Sequence, residues 1–242
     1  MDPAYAAVYA ELYARHWWWR ARERFLLEKL EAARTARSSD EPLRILDVGC
    51  GDALFFDELS RFGAVEGIEP DVTLLSDGPW RSHIHEGVLD AAWARDRTFD
   101  WIFMLDVLEH VEDPLPVLRA ARTALAPDGR LFVTVPAFPA LWTNHDELNR
   151  HFRRYTTRSL EGELRAAGFR VLESRYFFHW LAPLKLIVRL LEVFRTPEPT
   201  PETVPAAPLN RLAYAVSRAE QHLPGASHLP FGTSVYACCQ PN

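Results

Sequence analysis

The sequence is poor in cysteine, with three in 242 residues: Cys50, Cys238 and Cys239. Their spacing offers neither the paired steps of a zinc site nor a framework for disulfides. Cys238 and Cys239 are adjacent, so on a strand they point to opposite faces and read as reduced core or edge residues. A broad basic excess is missing too. The formal net charge of -6 argues against a nucleic-acid partner. The opening residues Met1-Asp2-Pro3-Ala4 lack a basic region followed by an apolar core, so no secretory leader is expected and a cytoplasmic setting follows. The longest apolar stretch, Phe177 to Phe194, is broken by Pro183, Lys185, Arg189 and Glu192, whereas a bilayer span needs about 20 mostly uncharged residues. A transmembrane helix is therefore excluded. An amphipathic helix that covers a substrate cavity, or makes peripheral contact with a membrane, stays open. No internal repeat is visible, and nothing fixes the oligomeric state.

What is present is a chain with 48% hydrophobic and 12% aromatic content, enough for one sizeable domain with a full core. Arg44-Ile45-Leu46-Asp47-Val48 reads as a buried parallel strand, short and β-branched, without the alternation of a half-exposed one. Gly49 and Gly51 turn that strand into a helical pattern from Asp52 onwards. Such a turn lets backbone approach a ligand closely and offers unpaired N–H groups to it. The next apolar run, from Val65, ends at Glu69-Pro70, where an acidic side chain can accept from both ribose hydroxyls. A nucleoside-bearing cofactor is expected across this crevice. Leu54 stands where a dinucleotide site wants its third glycine, and no Gly-Lys-Ser/Thr follows, which excludes a P-loop.

These residues resemble the first motif, D-x-G-x-G-x-G, of the Rossmann-like S-adenosylmethionine-dependent methyltransferases, bacterial small-molecule type. The match runs from Asp47 through Gly49, Cys50 and Gly51, with Ala53 in place of the last glycine. The resemblance implies an α/β fold: a doubly wound, seven-stranded, mostly parallel sheet whose last strand is antiparallel, with an N-terminal helical lid and a C-terminal helical cap. It implies one domain over 1–242, divided into a lid (1–37), a cofactor core (42–175), substrate-cap insertions (137–160 and 176–228) and a closing strand (231–240). The cofactor implied is S-adenosyl-L-methionine.

In chain order, 4–35 reads as helix, interrupted by the run His16-Trp17-Trp18-Trp19. Three consecutive tryptophans cover most of a helix circumference, so at least one is expected to face a cavity or partner. By resemblance this helix lids the cofactor, with Trp19 and Arg22 (or Arg20) near the methionine end and Trp17 toward substrate. Ile84–Leu89 is a candidate third strand whose tip, Leu89-Asp90, would meet the adenine. Phe99–Asp106 is the fourth strand, with Leu105 lining the cofactor and His110 packed on the strand ends. Val117–Leu125 is a helix stopped by Ala126-Pro127-Asp128-Gly129, and Arg130–Pro136 is the fifth strand.

The segment 137–155 is too polar and aromatic for a linker, and it follows a strand whose carboxyl end should face the crevice. Trp142, Arg153 and Tyr155 are candidate substrate contacts. His145 and His151 are candidate general bases, with Asp146 to orient or coordinate, because histidine is the economical base near neutral pH. His145 is the preferred base. Related enzymes show a His-x-Arg-x-Tyr-Thr step here, matched by His151, Arg153, Tyr155 and Thr156. Phe169–His179 is the sixth strand, 196–208 a proline-rich loop, Leu209–Leu223 a second amphipathic helix and Gly232–Gln240 the final strand. The function expected is methyl transfer to a small, partly apolar acceptor, most readily at oxygen. N- or C-methylation, or a non-catalytic cofactor-binding partner module, are the alternatives. No metal ligand set is compelled.

Overall fold

The computed structural model describes residues 3–37, 39, 41–194 and 203–242; most of the loop expected over 196–208 lies outside them. In chain order the helices and strands are α1 (Pro3–Arg15), α2 (Trp17–Thr35), β1 (Leu43–Val48), α3 (Phe56–Leu59), β2 (Gly63–Glu69), β3 (Ile84–Glu86), α4 (Ala91–Ala94) and β4 (Phe99–Leu105). They continue with α5 (Pro114–Ala124), β5 (Leu125–Pro136), α6 (Asn144–Leu148), α7 (Thr157–Ala166), β6 (Phe169–Phe177), α8 (Leu181–Phe194), α9 (Ala207–His222) and β7 (Ser234–Pro241). They fall into two compact units. One holds Glu41–Phe138, Phe152–Arg175 and Ser234–Asn242; the other holds Met1–Asp40, Pro139–His151 and Tyr176–Thr233.

The first unit is built on a seven-stranded sheet ordered β3-β2-β1-β4-β5-β7-β6. β1 pairs in parallel with β2 and β4, and β5 pairs in parallel with β4 but antiparallel with β7. The inner strands are apolar on both faces, as a covered sheet demands. Ile45, Leu46, Ile102, Phe103, Met104, Leu131, Phe132 and Val133 are all buried. β7 slots between β5 and β6, which buries the free thiols of Cys238 and Cys239. With the order reversing at β1/β4, ligands of such a sheet bind beyond the carboxyl ends of its strands.

The second unit is helical. α2 packs on α9, and Phe25 stacks on Phe177 with ring centroids 4.7 Å apart.

Several boundaries differ from the sequence expectation. The helix expected over 4–35 is two helices, because His16 is extended (φ -73, ψ 133) and its Nδ1 accepts the Trp18 N–H at 3.2 Å, starting α2 afresh. The helical pattern after Asp52 yields only the four residues of α3, preceded by tight turns. β3 ends at Glu86 and not Leu89, since Gly87 (φ +140) takes the chain out of the sheet. The turn expected at 126–129 is instead absorbed into β5 as a bulge: Phe99 pairs with Leu125, and the next pair is Trp101 with Arg130. β6 stops at Phe177, two residues early, where Phe178 turns left-handed (φ +58).

Candidate active site

The turn after β1 carries a left-handed residue at every second position: Gly49 (φ +69), Gly51 (φ +52) and Ala53 (φ +56). Gly49 donates its N–H to the Ile68 carbonyl at 2.8 Å, and a Cβ there would stand 2.8 Å from Val107 Cγ2. Only glycine satisfies both the angle and that approach. At Gly51 the surroundings differ, for a Cβ would meet nothing within 4 Å. Open space above a glycine backbone at a strand's carboxyl end is room for a ligand. Cys50, between them, keeps a neutral thiol: burial first, then the Asp47 and Glu69 carboxylates, push its ionisation far above the ordinary range. It is not a nucleophile.

Glu69, at the tip of β2, is 5% exposed. Its Oε2 accepts the Gly51 N–H and its Oε1 the Asp71 N–H, each at 2.9 Å. A carboxylate has about four acceptor directions, so two remain after these bonds. Burial raises its pKa, against the lowering effect of the two N–H groups. The carboxylate is thus held against the glycine turn, in a place where its charge lacks solvation and gains from further hydroxyl donors. Asp47 is buried one turn away on β1, while Pro70 is exposed. Leu89 is buried; Asp90 is exposed and caps α4 by accepting the Trp93 N–H at 2.8 Å. Leu105 is half-buried at the end of β4.

Two further left-handed residues mark the neighbouring strand ends. Asp106 (φ +60) follows β4, and Phe138 (φ +56) follows β5. The Asp106 N–H donates to the Thr134 carbonyl at 2.9 Å, and Thr134 Oγ1 donates to Asp106 Oδ1 at 3.2 Å. Sequence reasoning missed Thr134 and the strain at Ala53 and Phe138; no local signal marks a left-handed phenylalanine. It also misplaced His110, which is exposed on a 3₁₀ turn, while Glu109 beside it is 1% exposed. The buried residues of that turn are Leu108 and Glu109, not its histidine.

The segment after β5 begins and ends in this unit. Ala137 bridges Tyr155, whose N–H donates to the Pro136 carbonyl and whose carbonyl accepts from Phe138. The Tyr155 ring is buried, its hydroxyl donates to the Leu108 carbonyl at 3.3 Å, and burial together with the Glu163 carboxylate holds the phenol protonated. Arg153 donates to the Glu112 carbonyl and lies 3.7 Å from Glu163. Arg154, buried, donates to the Ala137 carbonyl at 3.1 Å.

The middle of the segment belongs to the helical unit. Thr143 and Asp146 close a capping box that starts α6, with Asp146 Oδ2 accepting the Thr143 N–H at 2.8 Å. The other oxygen of Asp146, which is fully buried, lies 2.8 Å from His151 Nδ1. The His151 backbone N–H donates to the Asp146 carbonyl at 3.0 Å, so backbone and ring are each anchored to the same aspartate. His145 sits on α6 with its Nε2 3.2 Å from the Asn149 amide, and the two imidazoles are 6.3 Å apart. Trp142 donates its indole N–H to Glu147 at 2.6 Å.

In the same unit Trp17 is buried against Phe178 and Trp180, and its N–H donates to Asn210. Trp19 is also buried, edge-on to Tyr9, yet its indole N–H has no acceptor. The Arg22 guanidinium lies 5.6 Å from the rings of Trp18 and Trp19. A buried indole N–H without an acceptor costs ~1–3 kcal/mol, which an anionic ligand group would recover.

A glycine turn after β1, a buried acid ending β2 and a reversed last strand define the class as Rossmann-like and methyltransferase-like. A family model described as a methyltransferase domain matches residues 18–174. The chain belongs to that family, the Rossmann-like methyltransferases whose cofactor is S-adenosyl-L-methionine. A ubiquinone biosynthesis O-methyltransferase of Xanthomonas axonopodis pv. citri is 33% identical over 109 residues, covering 41% of this chain and 46% of that protein. The chain therefore spans less than half the length of this curated relative. Among solved structures, a Thermotoga maritima S-adenosylmethionine-dependent methyltransferase described as a possible histamine N-methyltransferase superposes with a TM-score of 0.59 at 17% identity, over 99% of this chain and 97% of its own. Phosphoethanolamine N-methyltransferase 2 of Haemonchus contortus, solved with S-adenosyl-L-methionine, gives 0.54 at 16% identity over 88% and 52%.

Proposed function

We propose that this chain methylates a hydroxyl of a small, partly apolar acceptor, using S-adenosyl-L-methionine, with His151 as general base. The observation that carries the reading is the buried Asp146 carboxylate 2.8 Å from His151 Nδ1. Bonded there, the imidazole keeps its Nδ1 proton and presents Nε2 as the basic nitrogen. The His145 ring is set against the Asn149 amide, 3.2 Å from its Nε2, and serves as a neighbour rather than the base. Relatives bearing the O-methyltransferase name support oxygen as the acceptor atom.

The cofactor supplies an electrophilic methyl on a sulfonium. The residues supply position and proton removal. Gly49, Cys50 and Gly51 give backbone to the adenosine and methionine portions, Glu69 accepts from the ribose hydroxyls, and Asp47, Pro70, Leu89, Asp90 and Leu105 complete that contact surface. Trp19 and Arg22 take the methionine carboxylate, and Trp17 and Trp142 the acceptor's apolar part. Arg153 and Tyr155, engaged with Glu112, Leu108 and Glu163, brace the segment that bears His151. Asp146 positions the base and does not itself receive the proton.

The test is methyl transfer from labelled cofactor to a panel of phenols, with matched anilines as controls. Methylated phenols are expected, with kcat falling by about 10²–10⁴-fold in His151→Asn and cofactor affinity retained. Full turnover by His151→Asn, or methylated anilines alone, overturns the assignment.

A further inference from the structure

The helical unit carries two helices with leucines on their outer side. On α8, Leu184, Leu186, Ile187, Val188, Leu190 and Leu191 are 46–60% exposed, whereas Lys185 and Arg189 are only half-exposed on the opposite side. α9 repeats the pattern. Leu209 and Leu212 are 59% and 61% exposed, while Ser217 and Glu220 are buried. Those polar groups are tied inward: Glu220 accepts the Trp180 N–H at 2.6 Å, and Ser217 accepts from the Trp180 indole at 3.0 Å. A surface helix in water places its charges outward and its leucines inward. On both helices leucines face outward instead, and exposed apolar rows of this extent mark a docking surface. No helix among the described residues is long and apolar enough to cross a membrane.

Charge tells which occupant fits. Arg211 projects from α9 into a cleft of about 260 Å³ lined also by Arg15, Arg20 and Asn210. Arg15 pairs with Glu11, and Arg20 lies 4.8 Å over the Tyr214 ring, so the cleft keeps a cationic excess in a chain whose formal net charge is -6. The described outward rows of α8 and α9 carry no Asp or Glu. Two copies meeting on this face about a two-fold would set like charges together. A lipid surface would not.

We propose that the helical unit docks on an anionic phospholipid surface, the outward rows of α8 and α9 entering the headgroup–acyl boundary and the Arg15–Arg20–Arg211 cleft taking lipid phosphate. A partly apolar acceptor would be met at that surface, although the inference stands on these helices and not on the methylation chemistry. The experiment is vesicle co-sedimentation of the full chain, with phosphatidylglycerol mixed into phosphatidylcholine against phosphatidylcholine alone, beside light scattering of the protein without lipid. Preferential binding to the anionic vesicles is expected, weakened by salt. Arg15→Ser with Arg211→Ser should lower it by about thirty-fold, and Ile187→Asp with Leu191→Asp should abolish it. S-Adenosylhomocysteine binding, retained in both variants, reports folding separately. Equal partition to both vesicle types, wild-type partition by both variants, or a lipid-free dimer that Ile187→Asp with Leu191→Asp dissolves would each overturn the proposal.

Discussion

Replacing Glu69 by glutamine separates a ligand contact from a structural brace, because the two roles move stability and affinity differently. The side chain is 5% exposed and each carboxylate oxygen already accepts one backbone N–H. Burial nonetheless raises its pKa, so the surroundings as a whole favour the neutral form. For a carboxyl raised on folding, the stabilising contribution is present below its unfolded pKa and lost as pH rises through its folded pKa. At neutral pH the ionised group is a cost to the ligand-free fold; glutamine relieves it, but its NH2 cannot accept one of the two backbone N–H groups, so the gain and the lost bond offset and the thermal midpoint should move little. Cofactor affinity should go the other way. Hydrogen bonds to a charged acceptor are worth about 1.5–3 kcal/mol, so loss of the charge facing the ribose predicts a fall of about ten- to a hundred-fold. The assay is titration calorimetry with S-adenosylhomocysteine, beside a thermal melt of the ligand-free protein. Wild-type affinity should fall with pH through the raised Glu69 titration, as the proton competes with the hydroxyl donors, and Glu69→Gln should lack that limb. Affinity within about twofold of wild type, or a lowered melt matching the lost affinity, would refute the ribose contact.

Ala53→Gly should be neutral to stabilising: relief of a left-handed alanine is worth ~1–2 kcal/mol, offset by ~0.5–1 kcal/mol of glycine entropy, and a chemical-denaturation midpoint reads the difference. Gly51→Ala should cost only ~1–2 kcal/mol of stability, since its Cβ meets nothing within 4 Å, yet abolish cofactor binding by calorimetry if that space is the ligand's. Tyr155→Phe should lose ~1 kcal/mol of stability with kcat close to wild type, because the buried, protonated phenol bonds the Leu108 carbonyl and performs no chemistry; a large kcat loss at wild-type stability would count against that.

The sheet was legible in the sequence because its inner strands are buried on both faces and so read as unbroken apolar runs. The antiparallel insertion of β7 came from family resemblance, not from any pattern in Ser234–Pro241. Local chemistry hid the boundaries. His16 is an unusual cap inside an otherwise helical run. Ala126-Pro127-Asp128-Gly129 has turn composition, yet long-range pairing of β4 with β5 keeps it in the sheet as a bulge. Residue identity marked Glu69, Asp146, His145 and His151 as candidates, with His145 preferred as base, but identity could not say which histidine the aspartate reaches. That depended on the capping box at Thr143, which turns one Asp146 oxygen to the backbone and leaves the other for His151.

Among the described residues, the five non-glycine residues with positive φ are Ala53, Asp106, Phe138, Arg150 and Phe178. Four of them lie within a few residues of the carboxyl ends of β1, β4, β5 and β6. Such conformations cost about 1–3 kcal/mol each and persist only where surrounding structure over-determines them. A fold selected for stability alone would place glycine or asparagine there, as it does at Gly87 and Gly168, which also have positive φ. Cβ-bearing residues stand at these strand ends instead, and at Asp106 the over-determination is visible: two hydrogen bonds with Thr134 hold its carboxylate and backbone together. Strain at these positions is therefore the structural counterpart of the glycine turn. On the proposed reading, bare backbone at Gly49 and Gly51 leaves room for the cofactor, while Ala53, Asp106, Phe138 and Phe178 keep a Cβ near the strand ends at a left-handed cost.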